Sequence, residues 1–322
     1  MQNKFNLTLL VLIGCAVFLG CWSADSVDPN KLRSTGTSSP SSSPETSPSA
    51  NKSPANDKNN GNDSKQVNNS PTNQTKSGGF QGNLPGGFQM PSDDVGNKML
   101  REYGAMFVAK NGVTPPNKVV FRDESDVSSF QSGVQKVSEN IGGITIELQT
   151  PAMNALKEAL AEAKQKNLNI KPRNADSAKR SYGQTVENWA SRVNPGLAHW
   201  VSKGRLQQSE ANRIKSLSPV EQIPEIFKLE SQGMFFAKDL SKSIIYSVAP
   251  PGTSQHISML ALDVEQFDNA AVRQVLANHG WFQTIPSDLP HFTYLGVSEN
   301  ELPNLGLKKV TQSGRTFWVP NI

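Results

Sequence analysis

Between Leu32 and Phe80 the chain carries almost no aliphatic or aromatic side chain, and from Trp22 to about Asp94 it is built of Ser, Pro, Asn, Thr, Lys and Gly. A segment of that composition cannot bury enough apolar surface to offset the entropy lost on ordering it. Residues 22–94 therefore read as a flexible tether, which withdraws a large part of the 322 residues from any core. What remains to fold is residues 95–322, a length for which one domain is the simplest expectation.

Ahead of the tether an apolar run from Phe5 to Leu19 ends in Gly20-Cys21. It is too short and wrongly flanked for a membrane span and has the form of a secretion signal closing on a lipobox-like sequence, residues 1–21. A second such sequence, Leu12-Ile13-Gly14-Cys15, competes with it. Cleavage before Cys21 leaves the more ordinary apolar length, so Cys21 is the expected lipidation site. The chain would then be a lipoprotein held on a bacterial membrane through its N-terminus and working outside the cytoplasm, in the periplasm or at the cell surface. Both cysteines of the chain lie in this segment, so the folded part has no disulfide to draw on and its core must suffice alone. The net charge of +4 is spread out, without basic blocks interleaved with aromatics, which argues against nucleic acid as a partner.

Within the folded part, Val119–Phe121, Ile144–Leu148, Ser243–Val248, Met259–Val264 and Trp281-Phe282 read as short strands. Thr150 caps and Pro151 opens a helix to about Lys166 whose apolar face belongs to the core. Ser181 with Gln184 and Ser218 with Glu221 form capping boxes that begin two further helices, the first expected to break near Asn194-Pro195-Gly196. Asp268 can cap a helix running to about His279 and ended by Gly280, and the chain closes on a hairpin turning at Ser313-Gly314. These elements predict an α+β domain, a small antiparallel sheet packed with helices.

The chemistry is concentrated between Gly252 and Tyr294, where His256, Asp263 and His291 follow a metal-site rhythm. A catalytic zinc takes three protein ligands, usually imidazoles with one carboxylate, and keeps a fourth position open; these three meet that count for one ion. Side chains alternate along a strand, so His256 and Asp263, seven apart, would face opposite ways on one straight strand, and His256 must sit on the preceding loop or beyond a bulge. His279, at a helix C-terminus, is better explained by the helix dipole or the last carbonyls, and His199 has no ligand partner at helical spacing. Arg180, read by itself, is a solvated or paired surface arginine.

Ser254, His256, Ala261, Asp263 and His291, with Asp288 three residues before the last histidine, resemble the VanY-like D-alanyl-D-alanine carboxypeptidases, zinc peptidases sharing the hedgehog/D-Ala-D-Ala peptidase fold and marked by SxHxxGxAxD and a later ExxH. Lys179-Arg180-Ser181-Tyr182 is similar to that family's Tyr-Arg-Ser segment, and the likeness extends over roughly residues 119–296. The resemblance implies a peptidoglycan stem peptide as substrate, metal ligation by His256, Asp263 and His291, and substrate contacts from Ser254 and Arg180. Arg180 would also stabilise the reacting carbonyl, while Asp288 would serve as the acid-base residue. Two positions depart from the pattern: Met259 stands in place of Gly, which suggests altered backbone geometry beside the metal, and Asp288 stands in place of Glu, with one methylene less reach. Two other activities fit the same residues, a zinc endopeptidase cutting inside stem peptides and a non-catalytic wall-binding lipoprotein that keeps the metal for structure.

Overall fold

The computed structural model describes residues 78–322, so Cys15, Cys21 and residues 22–77 of the expected tether lie outside the described residues. In chain order the helices and strands are α1 (Gly79–Gly82), α2 (Asp94–Tyr103), α3 (Glu124–Ser132), β1 (Lys136–Ile141), β2 (Ile144–Gln149), α4 (Thr150–Gln165), α5 (Tyr182–Ser202), α6 (Gln208–Ser216), α7 (Pro219–Ser231), β3 (Ala261–Asp263), α8 (Ala270–Asn278), β4 (Trp281–Phe282), β5 (His291–Tyr294), β6 (Leu307–Gln312) and β7 (Arg315–Pro320). The α+β class is as expected, but the strands form three small antiparallel sheets rather than one: the hairpins β1–β2 and β6–β7, and a three-stranded sheet in the order β3-β5-β4. No helix among the described residues is long and apolar enough to cross a membrane.

The folded part starts earlier than residue 95. Phe80 is only 2% exposed, and Gly306 approaches it so closely that a Cβ there would lie 2.0 Å from the Phe80 nitrogen. Asn83 Nδ2 donates to the Asn304 carbonyl at 2.9 Å, tying the same segment to the C-terminal region. One buried aromatic flanked by glycines was too small a signal to stand out from the polar tract around it.

Both capping boxes form, Ser181 with Gln184 at the start of α5 and Ser218 with Glu221 at the start of α7. Helix α5 does not break at Pro195 but runs on to Ser202. Pro195 cannot donate to the Ser191 carbonyl, and Arg192 Nη1 approaches that oxygen at 3.4 Å instead. Gly196 then lets Phe236 pack on the helix, since a Cβ would meet its ring at 2.4 Å. Two helix starts are displaced by one residue. Gln149 rather than Thr150 precedes α4, and Asn269 rather than Asp268 caps α8, accepting from the Ala271 and Val272 amides, while Asp268 pairs with Arg315.

Two expected strands are absent. Val119–Phe121 joins no sheet; the Phe121 amide instead donates to the Gly252 carbonyl at 3.0 Å. Ser243–Val248 instead contains a 3-10 turn, Ile244–Tyr246, gathered around the buried Glu230 carboxylate, which accepts from the Ser243 hydroxyl at 2.5 Å and the Ile244 amide at 2.6 Å. Burial raises the Glu230 carboxyl while these hydrogen bonds hold it down. A run of β-branched residues was read as a strand when a side-chain acceptor had claimed its backbone donor. The final hairpin is as expected, with Ser313 and Gly314 both at positive φ, the pattern of a tight two-residue turn.

Candidate metal centre

The three-stranded sheet explains why Asp263 and His291 meet. In the antiparallel register of β3 with β5 they are direct cross-strand partners. His256 reaches them from outside the sheet, on a 3-10 turn Gln255–Ser258 that ends in Met259 at φ 56° and ψ 30°. This turn resolves the parity problem seen in the sequence. Met259 occupies the left-handed conformation a glycine takes without strain, so the substitution at this position leaves a glycine-like turn, contrary to expectation. Three buried or nearly buried glutamines staple the turn: Gln149 Nε2 donates to Ser258 O at 2.8 Å, Gln131 Nε2 to Ile257 O at 3.1 Å, and Gln255 Nε2 to Tyr103 O at 2.9 Å. Gln131 also donates to Arg180 O at 2.9 Å, and the Arg180 amide donates to His256 O at 3.3 Å, which brings the segment before α5 to the same place.

The ligand atoms of His256, Asp263 and His291 all lie within 4.8 Å of one another. Asp263 Oδ1 is 3.3 Å from His256 Nε2 and 3.2 Å from His291 Nδ1, and the two imidazoles stand edge to face with centroids 4.8 Å apart. The other carboxylate oxygen, Oδ2, accepts from Arg180 Nη2 at 3.1 Å. Both histidines are 2% exposed. Burial, with the Arg180 charge, pushes His256 down to about 4, against the pull of Asp263. Burial alone would raise the Asp263 carboxyl, but contact with the two imidazoles holds it well below the ordinary carboxylate range, and the Arg180 hydrogen bond suits the same ionised form.

The donor set fits a divalent ion. His256 lies close enough to feel the Asp263 charge, yet neither of its buried ring nitrogens makes an aligned hydrogen bond. Leaving such groups unsatisfied costs free energy, and a metal would use one of them. Two converging imidazoles, with His256 held neutral, and one ionised carboxylate match a zinc site with an open position.

These residues line a cavity of about 570 Å³. Arg173, Arg180 and Arg192 line it together with Ser254 and Asp288. Asp288 sits on the turn before β5, where its carbonyl accepts from the His291 amide at 3.1 Å. Its side chain is exposed to the cavity, where the protein around it raises its carboxyl above the ordinary range, opposed by His291 and the arginines and reinforced by Asp263. The structure thus brings Ser254, His256, Asp263, His291, Asp288 and Arg180 to one cavity. His279 is elsewhere, its Nε2 2.8 Å from Glu162 rather than on the last helical carbonyls, and His199 stacks edge-on against Trp200 at 4.7 Å.

The sequence reading missed Gln255, Arg173 and Arg192. Gln255 lies between Ser254 and His256 and has no charge to mark it; Arg192 lies about three helical turns beyond the capped start of α5, and only the fold brings it to the same cavity. No protein-family model matches the chain, and no curated protein matches it in sequence. Among solved structures, the chain is similar to a vancomycin-resistance D,D-pentapeptidase VanY variant in complex with Zn(II), at 15% identity and a TM-score of 0.29 over 51% of this chain and 82% of that one. It is also similar to the LdcB LD-carboxypeptidase, at 16% identity and a TM-score of 0.28 over 49% of this chain and 64% of that one.

Proposed function

We propose that the chain is a zinc-dependent peptidase of peptidoglycan stem peptides, acting as a D-alanyl-D-alanine carboxypeptidase. The observation that carries the reading is the convergence of His256, Asp263 and His291 within 4.8 Å in a cavity that is also lined by Asp288 and three arginines. A zinc ion held by these three ligands supplies polarisation of the scissile carbonyl and a lowered pKa for the attacking water. The chain's own residues do the rest. Asp288, its carboxyl raised above the ordinary carboxylate range, takes a proton from the water and returns it to the leaving amine. Arg180 commits one donor to Asp263 Oδ2 and so orients a ligand; its remaining N–H groups are suited to the substrate's carbonyl or carboxylate. Arg173 and Arg192 add positive charge, which favours a peptide ending in a free carboxylate over one blocked at its C-terminus.

The reading extends to the N-terminus. A lipid on Cys21 and a tether over residues 22–77 would hold the domain outside the cytoplasmic membrane, within reach of the wall. Mass analysis of muropeptides digested with and without chelator tests the activity. Zinc-restored loss of a single terminal alanine is the expected result; internal cuts would make the enzyme an endopeptidase. No cleavage by a zinc-loaded protein would leave a wall-binding role.

A further inference from the structure

His291 has two ring nitrogens, and only one can serve a metal. Its Nδ1 faces Asp263 Oδ1 at 3.2 Å, while its Nε2 is 3.0 Å from Gln255 Oε1. Which nitrogen carries the proton follows from the bonds Gln255 makes elsewhere. The Gln255 amide nitrogen lies 2.9 Å from the Tyr103 carbonyl and 3.4 Å from Thr284 Oγ1. A carbonyl only accepts, so the amide cannot be turned round without setting two acceptors face to face.

The surrounding hydroxyls agree with this orientation. Thr293 donates to Gln255 Oε1 at 2.5 Å, and Thr293 and Thr284 hydroxyls are 2.6 Å apart. With Thr293 donating to Oε1, its oxygen accepts from the Thr284 hydroxyl, whose own oxygen accepts from Gln255 Nε2. The donors run one way around a closed ring. Gln255 is 1% exposed and both threonines are fully buried, so no water competes for these bonds. His291 and Thr293 sit two apart on β5, which places both on the same face toward Gln255.

We propose that Gln255, locked by Thr293, Thr284 and the Tyr103 carbonyl, is a positioning residue that holds the proton on His291 Nε2 and thereby commits Nδ1 to the metal. Gln255 touches neither substrate nor metal. It acts through His291, as an outer partner that fixes a ligand's tautomer and ring orientation and supports metal affinity. The proposal deepens the metal-site reading and rests on it for the role of Nδ1, while the Nε2–H bond to Gln255 is a property of the metal-free protein as well.

The test is a nitrogen-15 NMR spectrum of the histidine side chains of the full domain, first with chelator and then titrated with zinc. In the chelated wild type, His291 Nε2 should carry a proton protected from exchange. Gln255→Leu removes the acceptor and should lose that protection and weaken zinc binding about 10- to 100-fold, while Gln255→Glu keeps an acceptor and should restore protection and most of the affinity. A wild-type spectrum with His291 protonated on Nδ1 alone overturns the proposal, whether or not the variants fold. A wild type with protected Nε2–H that binds no zinc upholds the tautomer lock and defeats the metal reading instead. Unchanged zinc affinity in a folded Gln255→Leu protein defeats the positioning role.

Discussion

Replacing His256 by leucine should make the metal-free protein more stable while abolishing its response to zinc. Both ring nitrogens of His256 are buried without an aligned hydrogen bond, in a side chain only 2% exposed. Removing a buried polar group that has no partner recovers about 1–3 kcal/mol of desolvation cost, and leucine is close enough in volume to avoid a large cavity. Asp263 keeps the Arg180 guanidinium as a partner, so the change does not strand its charge. A second contribution depends on pH. Because His256 is pushed from 6.5 to about 4 in the folded protein, the unfolded chain binds the extra proton between those values. Stability of the chelated wild type therefore falls as pH drops through that window, by roughly 1.4 kcal/mol per unit and about 3 kcal/mol in all. The leucine variant should lack this share of the slope. Zinc at a hundredfold excess over its dissociation constant should stabilise the wild type by about 2.7 kcal/mol and the variant not at all. Urea denaturation from pH 4 to 7, in chelator and in zinc, reads all three effects. A variant less stable than the chelated wild type at pH 5, or one still stabilised by zinc, would show that His256 is an ordinary core histidine.

Asp288→Asn should keep fold and zinc but lower muropeptide turnover by about two to four orders of magnitude, the usual share of acid-base catalysis; steady-state kinetics beside metal analysis checks it, and near-normal turnover would place the base elsewhere. Arg180→Lys keeps the charge but not the planar fork, so turnover should fall at least about tenfold with zinc retained, whereas wild-type kinetics would return Arg180 to a structural partner of Asp263. For the N-terminus, Cys21→Ser should abolish lipid labelling and membrane retention and Cys15→Ser should not; the reverse result would move the lipidated residue to Cys15.

The candidate metal residues stand out in the sequence because their chemistry is local: few residue types could serve, and the structure brings His256, Asp263 and His291 together. Even the placement of His256 off the strand followed from the alternation of side chains before the turn was seen. Capping boxes and the final turn were equally readable, since each is closed by residues three or four apart. The missing pieces depend on distant partners. Glu230 draws the Ser243–Val248 segment out of any sheet, and the partner of Phe121 is Gly252, whose Cβ would stand 1.9 Å from the Phe121 carbonyl oxygen. Phe80 finds its pocket beside Gly306 more than two hundred residues on. The supporting glutamines were invisible for the same reason: an uncharged amide reveals its role only through the groups it touches, as Gln255 does with His291 and Tyr103.

The central claim is that His256, Asp263 and His291 hold one catalytic zinc. Zinc stoichiometry, measured together with X-ray absorption at the zinc edge on the wild type and on His291→Ala and His279→Ala, tests it most directly. The account predicts one zinc per wild-type chain in a nitrogen and oxygen shell with two imidazoles, with Zn–N near 2.0–2.1 Å. It further predicts loss of the ion in His291→Ala and full retention in His279→Ala. A wild type without zinc, a sulfur-containing shell, or full occupancy in the His291 variant would contradict it.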